Sequence, residues 1–435
     1  MKISKFQLII LGIFVVFIVA GVAVFATYKN NGTLNQLPTV TIWGTFPKSV
    51  FDQYVSNINS TAAVRLSVSY VQEPADSFTQ DFIAALARGQ GPDAILVGTD
   101  QLLPNEDKLT PIPYSVLPQR TFLDTYIQEG DIYVGPDGSW GIPFVIDPLV
   151  MYWNREMFNA GGIARPPVYW SDFDAATKAM TVKSKDGTVS KSAIAMGDFS
   201  NVDNARELLG SLFMQSGNPI TAIGSDGTVS SALDPGRNTA QSPVPALQFF
   251  TKFINPADPD YSWNKSWPDS KTAFLAGNLA TYFGFASEIS DIRAKNPNLD
   301  FDVTTLPQLK SGGVAATYGR MYGFSLVKAS SNTNTAYQVA ATLASPQYLS
   351  DLEKTMYLPS VLRSSIAAGS SDPYISIFDK AALVASAWLD AGPSQSTQIF
   401  GSMIQAVTSG QKTPYQAARD ASSQYDVILQ AAQNK

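Results

Sequence analysis

The hydrophobic positions of this chain fall into two regimes. From Phe6 to Ala26 the sequence FQLIILGIFVVFIVAGVAVFA runs for 21 residues without a charge. As a helix this run spans roughly 30 Å, the thickness of a bilayer's hydrocarbon core, and it exceeds the usual signal-peptide core. Lys2 and Lys5 precede it, so the positive-inside rule keeps the N-terminus in the cytoplasm and sends the remainder outside. Residues 1–27 therefore read as one N-terminal transmembrane helix. A cleaved signal ending at Val24-Phe25-Ala26 is the alternative, and both place the bulk of the chain outside. Residues 28–38, polar and ending at Pro38, form a short stalk.

Beyond the stalk, short apolar runs with strand character alternate with segments of helical spacing. Thr39–Trp43 predicts a buried strand, and 48–56 a helix. Val64–Tyr70 alternates at period two, and Ser77–Arg88 has helical spacing closed by Gly89. Ala94–Val97 is a further strand. This order predicts βαβ units on a largely parallel sheet. Asp137-Gly138, Asp186-Gly187 and Asp226-Gly227 each read as hairpin turns. Further on, the pattern predicts helices near 245–254, 271–279, 334–343 and 414–433, and strands at 301–305 and 323–327.

Composition narrows the chemistry. Without Lys2 and Lys5, 28 Lys and Arg remain against 36 Asp and Glu, a net charge of −8, and no three bases are consecutive. Such a surface repels a phosphate backbone, which argues against nucleic acid as a partner. The chain has neither cysteine nor histidine. Disulfides, thiolate metal sites, thioether lipid anchors and histidine triads are thereby excluded. No cofactor and no metal site is expected.

The ordered segments resemble the family 1 extracellular solute-binding proteins, the group that includes maltose-binding protein. Four stretches carry the resemblance: GQGPDAILVGTDQL (89–102), GSWGIPFVIDPLVMYWNREMFNAGG (138–162), TAFLAGNLATYFGFASEI (272–289) and SGQKTPYQAARDASSQYDVIL (409–429). The resemblance implies an α/β, two-lobe periplasmic-binding-protein-like fold of type II. Residues 39–145 plus 306–388 would form lobe 1, and residues 146–305 plus 389–435 lobe 2. The lobes would be joined by crossings near Phe144–Asp147, Thr304–Gln308 and Trp388–Ser394. It implies a monomer that captures a small polar solute, a sugar foremost, and passes it to ABC permease subunits. Many relatives are held by a lipidated cysteine. This chain has none, so any permanent tether is the Phe6–Ala26 segment.

A sugar offers an apolar C–H face and a ring of hydroxyls, so its site needs aromatic surface with carboxylates, amides or Arg. Trp43 and Asp100 follow or end strands, where such groups converge. Asp147 lies at the first crossing, and Phe199 and Asn201 in a loop where relatives place a stacking aromatic. Phe283 and Phe285 alternate around Gly284, one facing the cleft and the other the core. Arg320 lies in Tyr318–Tyr322 ahead of a strand, and Trp388 at the third crossing. Each has a structural alternative: a helix cap for Asp100, a turn for Asp147, core packing for the aromatics, a surface base for Arg320.

Two enzymatic readings compete with capture. Ser262-Trp263-Asn264-Lys265, Ser330-Ser331-Asn332 and Lys310-Ser311-Gly312 approximate the three parts of a penicillin-binding serine enzyme, but in the wrong order. A glycosidase needs only two carboxylates, and no pair is marked. A receptor module without a permease shares the fold and cleft.

Overall fold

The computed structural model describes residues 38–62, 65–237 and 242–433. The apolar run Phe6–Ala26 and most of the stalk lie outside them. Among the described residues no helix is long and apolar enough to cross a membrane.

Strand β1 (Val40–Gly44) pairs in parallel with β2 (Val68–Gln72) and β3 (Ala94–Gly98), with α1 (Lys48–Thr61) and α2 (Phe78–Ala87) as the connecting helices. Gly89, just past α2, takes φ +68, the left-handed conformation that ends a helix at little steric cost to glycine. β4 (Ile142–Asn154) is the long element of the molecule, 13 residues and about 43 Å at strand rise. Nearly every residue in it is buried, which explains why it reads as one apolar run rather than as an alternating strand.

After β4 come α3 (Phe173–Met180), β5 (Val189–Ile194), α4 (Ala205–Gln215), α5 (Val244–Lys252), β6 (Leu279–Phe285) and β7 (Phe301–Thr305). The chain then runs into β8 (Thr317–Val327), and later into α6 (Pro373–Ala382), β9 (Ala385–Ser386), α7 (Pro393–Thr408) and α8 (Pro414–Gln433). The sheet order is β2-β1-β3-β8-β4-β6-β5, with Val182–Lys183 at the edge and β7 and β9 paired onto β4 and β8. Residues 142–148 of β4 run antiparallel to β8, whereas its far half, Val150–Asn154, carries both β6 and β7. β4 therefore passes from one half of the fold to the other. The packing follows: Phe51, Phe144 and Phe324 cluster in one half, and Trp170, Phe173 and Phe283 in the other. Helix α6 lies along the junction, against β4 and β7.

Several expectations shift. The second strand begins at Val68 rather than Val64, and the 271–279 helix stops at Leu275, with Leu279 opening β6. β8 starts at Thr317, so Arg320 stands inside a strand instead of ahead of one. The hairpins at Gly187 and Gly227 form, with φ of +84 and +83. The chain also reverses at Asp137-Gly138, where Val134 and Ser139 bridge antiparallel and the Gly135 amide donates to the Gly138 carbonyl at 2.9 Å, and Gly138 further pairs with Ile112–Pro113. It is glycine there because a β-carbon would overlap the Ile112 carbonyl.

Candidate functional site

Four of the sequence-selected residues meet where β3, β4, β6 and β8 come together. Asp100 lies in the 3-10 turn Thr99–Gln101 that directly follows β3. Its carboxylate folds back over Gly98, with Oδ1 2.7 Å from where a β-carbon on that glycine would be, and Arg320 Cγ lies against the same point at 3.8 Å. Arg320 stands opposite Asp147 in the β8–β4 register, and its guanidinium lies 4.2 Å from the centre of the Phe285 ring. Burial raises the Asp100 carboxyl above its ordinary value, and the positive charges of Arg206 and Arg320 offset part of that rise.

Asp147 is buried and accepts two hydrogen bonds from Ser287, from its amide at 3.0 Å and its hydroxyl at 2.6 Å. Burial nonetheless pushes its carboxyl up to about 6. Those two bonds join β4 to the turn after β6, so Asp147 fastens the crossing strand to the second half.

The structure adds two residues that the sequence reading missed. Glu207 sits in the first turn of α4 and pairs with Arg206 at 2.9 Å, and its charge acts on both Asp100 and Arg320. Tyr322, two residues along β8 from Arg320, shares the Arg320 face, and its hydroxyl interacts with the guanidinium. The start of α4 is set by Asn204, in the left-handed region at φ 55, whose amide donates to the Phe283 carbonyl at 3.2 Å and to Glu288 at 3.2 Å. Nothing in Ala205-Arg206-Glu207 announces a site. The one local signal is an acid in the first turn of a helix, which is also an ordinary helix-dipole preference.

Behind the site lies a buried ionic network. Arg206 pairs with Asp390, donates to Ser396 Oγ at 2.8 Å, and stacks 4.7 Å from the Trp388 ring. Asp390 also accepts from Ser396 at 2.7 Å and from the Tyr425 hydroxyl at 3.0 Å, and the Trp388 indole donates to Tyr425 at 2.9 Å. The network ties α4, the 388–396 segment and α8 into one body.

Other selected residues are placed elsewhere or are already committed. Trp388 is buried within that network, so its indole N–H is spent on Tyr425 rather than left for a solute. Phe283 is core, 5.6 Å from Trp170 and 6.4 Å from Phe173, although it lies two residues before Phe285 and so on the same face of β6. The Asn201 amide donates to the Asn264 and Trp267 carbonyls and accepts from Trp263 at 2.8 Å, which uses up its bonding capacity inside the fold. Phe199 is half-buried and rests on Gly401 of α7. Trp43 is half-buried inside β1, between Val71 and Ile95 in register. Ser262, of the serine-enzyme motif, is fully buried, donates to the Ile194 carbonyl at 3.3 Å, and opens no helix. Among the described residues no group of acids is arranged to hold a metal ion.

The model of the bacterial extracellular solute-binding protein family matches residues 25–349. No curated protein matches the sequence. Among solved structures, the chain is similar to the sugar-binding protein MalE from Xanthomonas citri, with a TM-score of 0.71 at 16% identity over 91% of this chain and 98% of that one. It is similar to the cyclic alpha-maltosyl-1,6-maltose binding protein from Arthrobacter globiformis, with a TM-score of 0.70 at 18% identity, covering 92% and 100%. The GacH receptor of Streptomyces glaucescens, solved unliganded and with acarbose, gives 0.68 at 17% identity, covering 92% and 99%. At these identities the likeness establishes the two-lobe α/β fold.

Proposed function

This chain belongs to the bacterial extracellular solute-binding proteins, and from that premise we propose that it captures a sugar or oligosaccharide between its lobes and delivers it to an ABC permease. The lobes are residues 39–145 plus 306–388 and residues 146–305 plus 389–435. The observation that carries the reading is the mixed polar cluster at the crossing strands. Asp100 and Glu207 can accept from hydroxyls, Arg320 and Tyr322 can donate, and Tyr322 offers half-buried aromatic surface. An anion would meet three carboxylates (Asp100, Glu207 and Asp390) against two guanidiniums, so the local field favours a neutral polar ligand. The similar structures solved with maltotetraose, mannobiose and alpha-D-tagatose support the same class. The chain performs no covalent chemistry on the solute, and Phe6–Ala26 tethers it to the membrane.

A thermal-shift screen with maltotetraose, mannobiose and D-tagatose tests the proposal. A bound sugar raises Tm according to RT ln(1 + [L]/Kd). Asp100→Ala and Arg320→Met should each lose at least tenfold in affinity while unfolding at nearly the same temperature without ligand. Shifts given only by amino acids or phosphate would overturn the sugar assignment.

A further inference from the structure

The two-stranded ribbon of Thr221–Ile223 and Val229–Ser231 has two outer edges that meet different surroundings. The Ile220 carbonyl accepts from the Ala232 amide and the Gly224 amide donates to the Thr228 carbonyl. Even-numbered residues of the first strand therefore bond inward, and Thr221 and Ile223 turn their backbone groups outward. On the second strand, side chains of α8 meet the outward groups. Gln433 accepts from the Val229 amide and donates to its carbonyl, and Asp426 accepts from the Ser231 amide. On the first strand the Thr221 amide bonds back to the Pro219 carbonyl at 2.8 Å, and the Thr221 carbonyl and both backbone groups of Ile223 lie at the open edge. Among the described residues no further strand pairs with it. Proteins usually blunt such an edge with a charge or a proline, whereas this one presents Ile223, 67% exposed.

That edge opens on a groove of about 540 Å³, which touches Thr221 and Ile223 but no residue of the second strand. Ile132, Val314 and Leu383 stand on the other side of it. In the proposed division they belong to lobe 1, and the ribbon to lobe 2. Val314 and Leu383 are 60% and 47% exposed, so with Ile223 three large apolar side chains surround one gap. Scattered apolar residues are ordinary on a surface, but a cluster of them marks an interaction site. The charges around it have one sign. Asp131 is exposed in the groove, Asp226 is exposed in the turn that closes the ribbon, and among the described residues no Lys or Arg lines the groove. Arg363 acts on Asp131 without lining it. A second copy of this acidic chain would bring more acids to the same place, so the field favours a basic partner.

We propose that this groove receives an extended segment of a partner protein, apolar and basic in alternation, which adds to Thr221–Ile223 as a third strand. Main-chain bonds to Ile223 and to the Thr221 carbonyl supply affinity, apolar side chains of the segment meet Val314 and Leu383, and its bases meet Asp131 and Asp226. The lobes in this structure are joined across the cleft, by Ser394 on Asp76 and by α8 against residues 103–108. A segment that touches both the ribbon and Leu383 at this spacing therefore favours the closed arrangement. Solute and partner then strengthen each other's binding, because linkage is reciprocal. That coupling rests on the proposed capture function, and the strand addition does not.

The test follows the anisotropy of a fluorescein-labelled peptide, Val-Arg-Val-Lys-Val-Arg, titrated with the full chain. The peptide should bind saturably. Ile223→Pro removes the outward amide but no bond within the ribbon, and it should weaken binding by about tenfold or more. Methylating alternate amide nitrogens of the peptide should do the same. Asp131→Lys, at an exposed position, should weaken this peptide and strengthen Val-Glu-Val-Glu-Val-Glu. No saturable binding, unchanged affinity in Ile223→Pro, or equal affinity of the wild type for the acidic peptide overturns the proposal. So does a concentration-dependent dimer in sedimentation that Ile223→Pro abolishes, since the edge would then serve a second copy. Saturating maltotetraose should raise peptide affinity by about threefold or more. A bound sugar that leaves peptide affinity unchanged overturns the coupling. Failure of maltotetraose to bind counts against the sugar reading alone, because the sugar-free titrations still decide strand addition.

Discussion

Asp147 illustrates how a single side chain here serves geometry at an electrostatic cost. Its two bonds from Ser287 favour the carboxylate, yet burial outweighs them and the group titrates at about 6 against an ordinary 3.8. A carboxyl whose pKa is raised on folding binds its proton more tightly in the native state, so it stabilises the fold most at low pH. That contribution is lost as pH rises between the two values, on the order of 2–3 kcal/mol in all. Urea unfolding of wild type and Asp147→Asn, compared at about pH 4 and pH 7, should show a smaller loss in the variant, because the other raised carboxyls such as Asp100 remain in both. An equal pH dependence in both proteins would place the cost elsewhere. Individual side chains are also where sequence reading was weakest. Asp100 and Arg320 lie together as ligand-capable groups, whereas Asn201 and Trp388, of equally suitable chemistry, are consumed by internal hydrogen bonds. Only their neighbours in space distinguish the two cases.

At the scale of elements, β8 and the 388–396 segment carry the junction. Gly319 is required by packing, since its φ is unremarkable but its β-carbon position is filled by Glu129. Gly319→Ala should cost about 1–3 kcal/mol by overpacking, and a Glu129→Ala background should restore much of it. Denaturant midpoints of the two singles and the double give the coupling. The Arg206–Asp390 pair is fully buried, and each partner is satisfied by Ser396 and its neighbours. Asp390→Ala leaves a buried guanidinium uncompensated and should destabilise by about 3–5 kcal/mol. Replacing both by apolar residues should cost much less, which guanidinium unfolding can measure. Most elements were legible because their apolar periods are regular, as in α8, whose predicted limits of 414–433 match the observed helix. The first half of β8 was not, because Tyr-Gly-Arg-Met-Tyr mixes glycine and a charge into a strand whose two faces both meet protein.

The whole molecule is two half-sheets joined through β4, with contacts reaching across the cleft between them. Ser394, at the start of α7, donates to Asp76 in the turn ahead of α2, at 2.9 Å across 318 residues of sequence. In the proposed lobe division this bond bridges the lobes, so it contributes only to the closed form. Asp76→Ala should weaken solute binding about two- to tenfold, mainly by faster dissociation, and leave ligand-free unfolding nearly unchanged. Stopped-flow dissociation with thermal melts checks both halves of that expectation. By itself, the sequence determined the α/β class, the order of strands and helices, the acidic surface and the absence of histidine and cysteine chemistry, since each follows from local period or composition. Tertiary structure alone decided that Glu207 and Tyr322 join Asp100 and Arg320, that Phe283 and Trp388 turn inward, and that Glu129 is buried. Those outcomes depend on which face of each strand meets which neighbour, and pairing across hundreds of residues sets that contact where no local pattern records it.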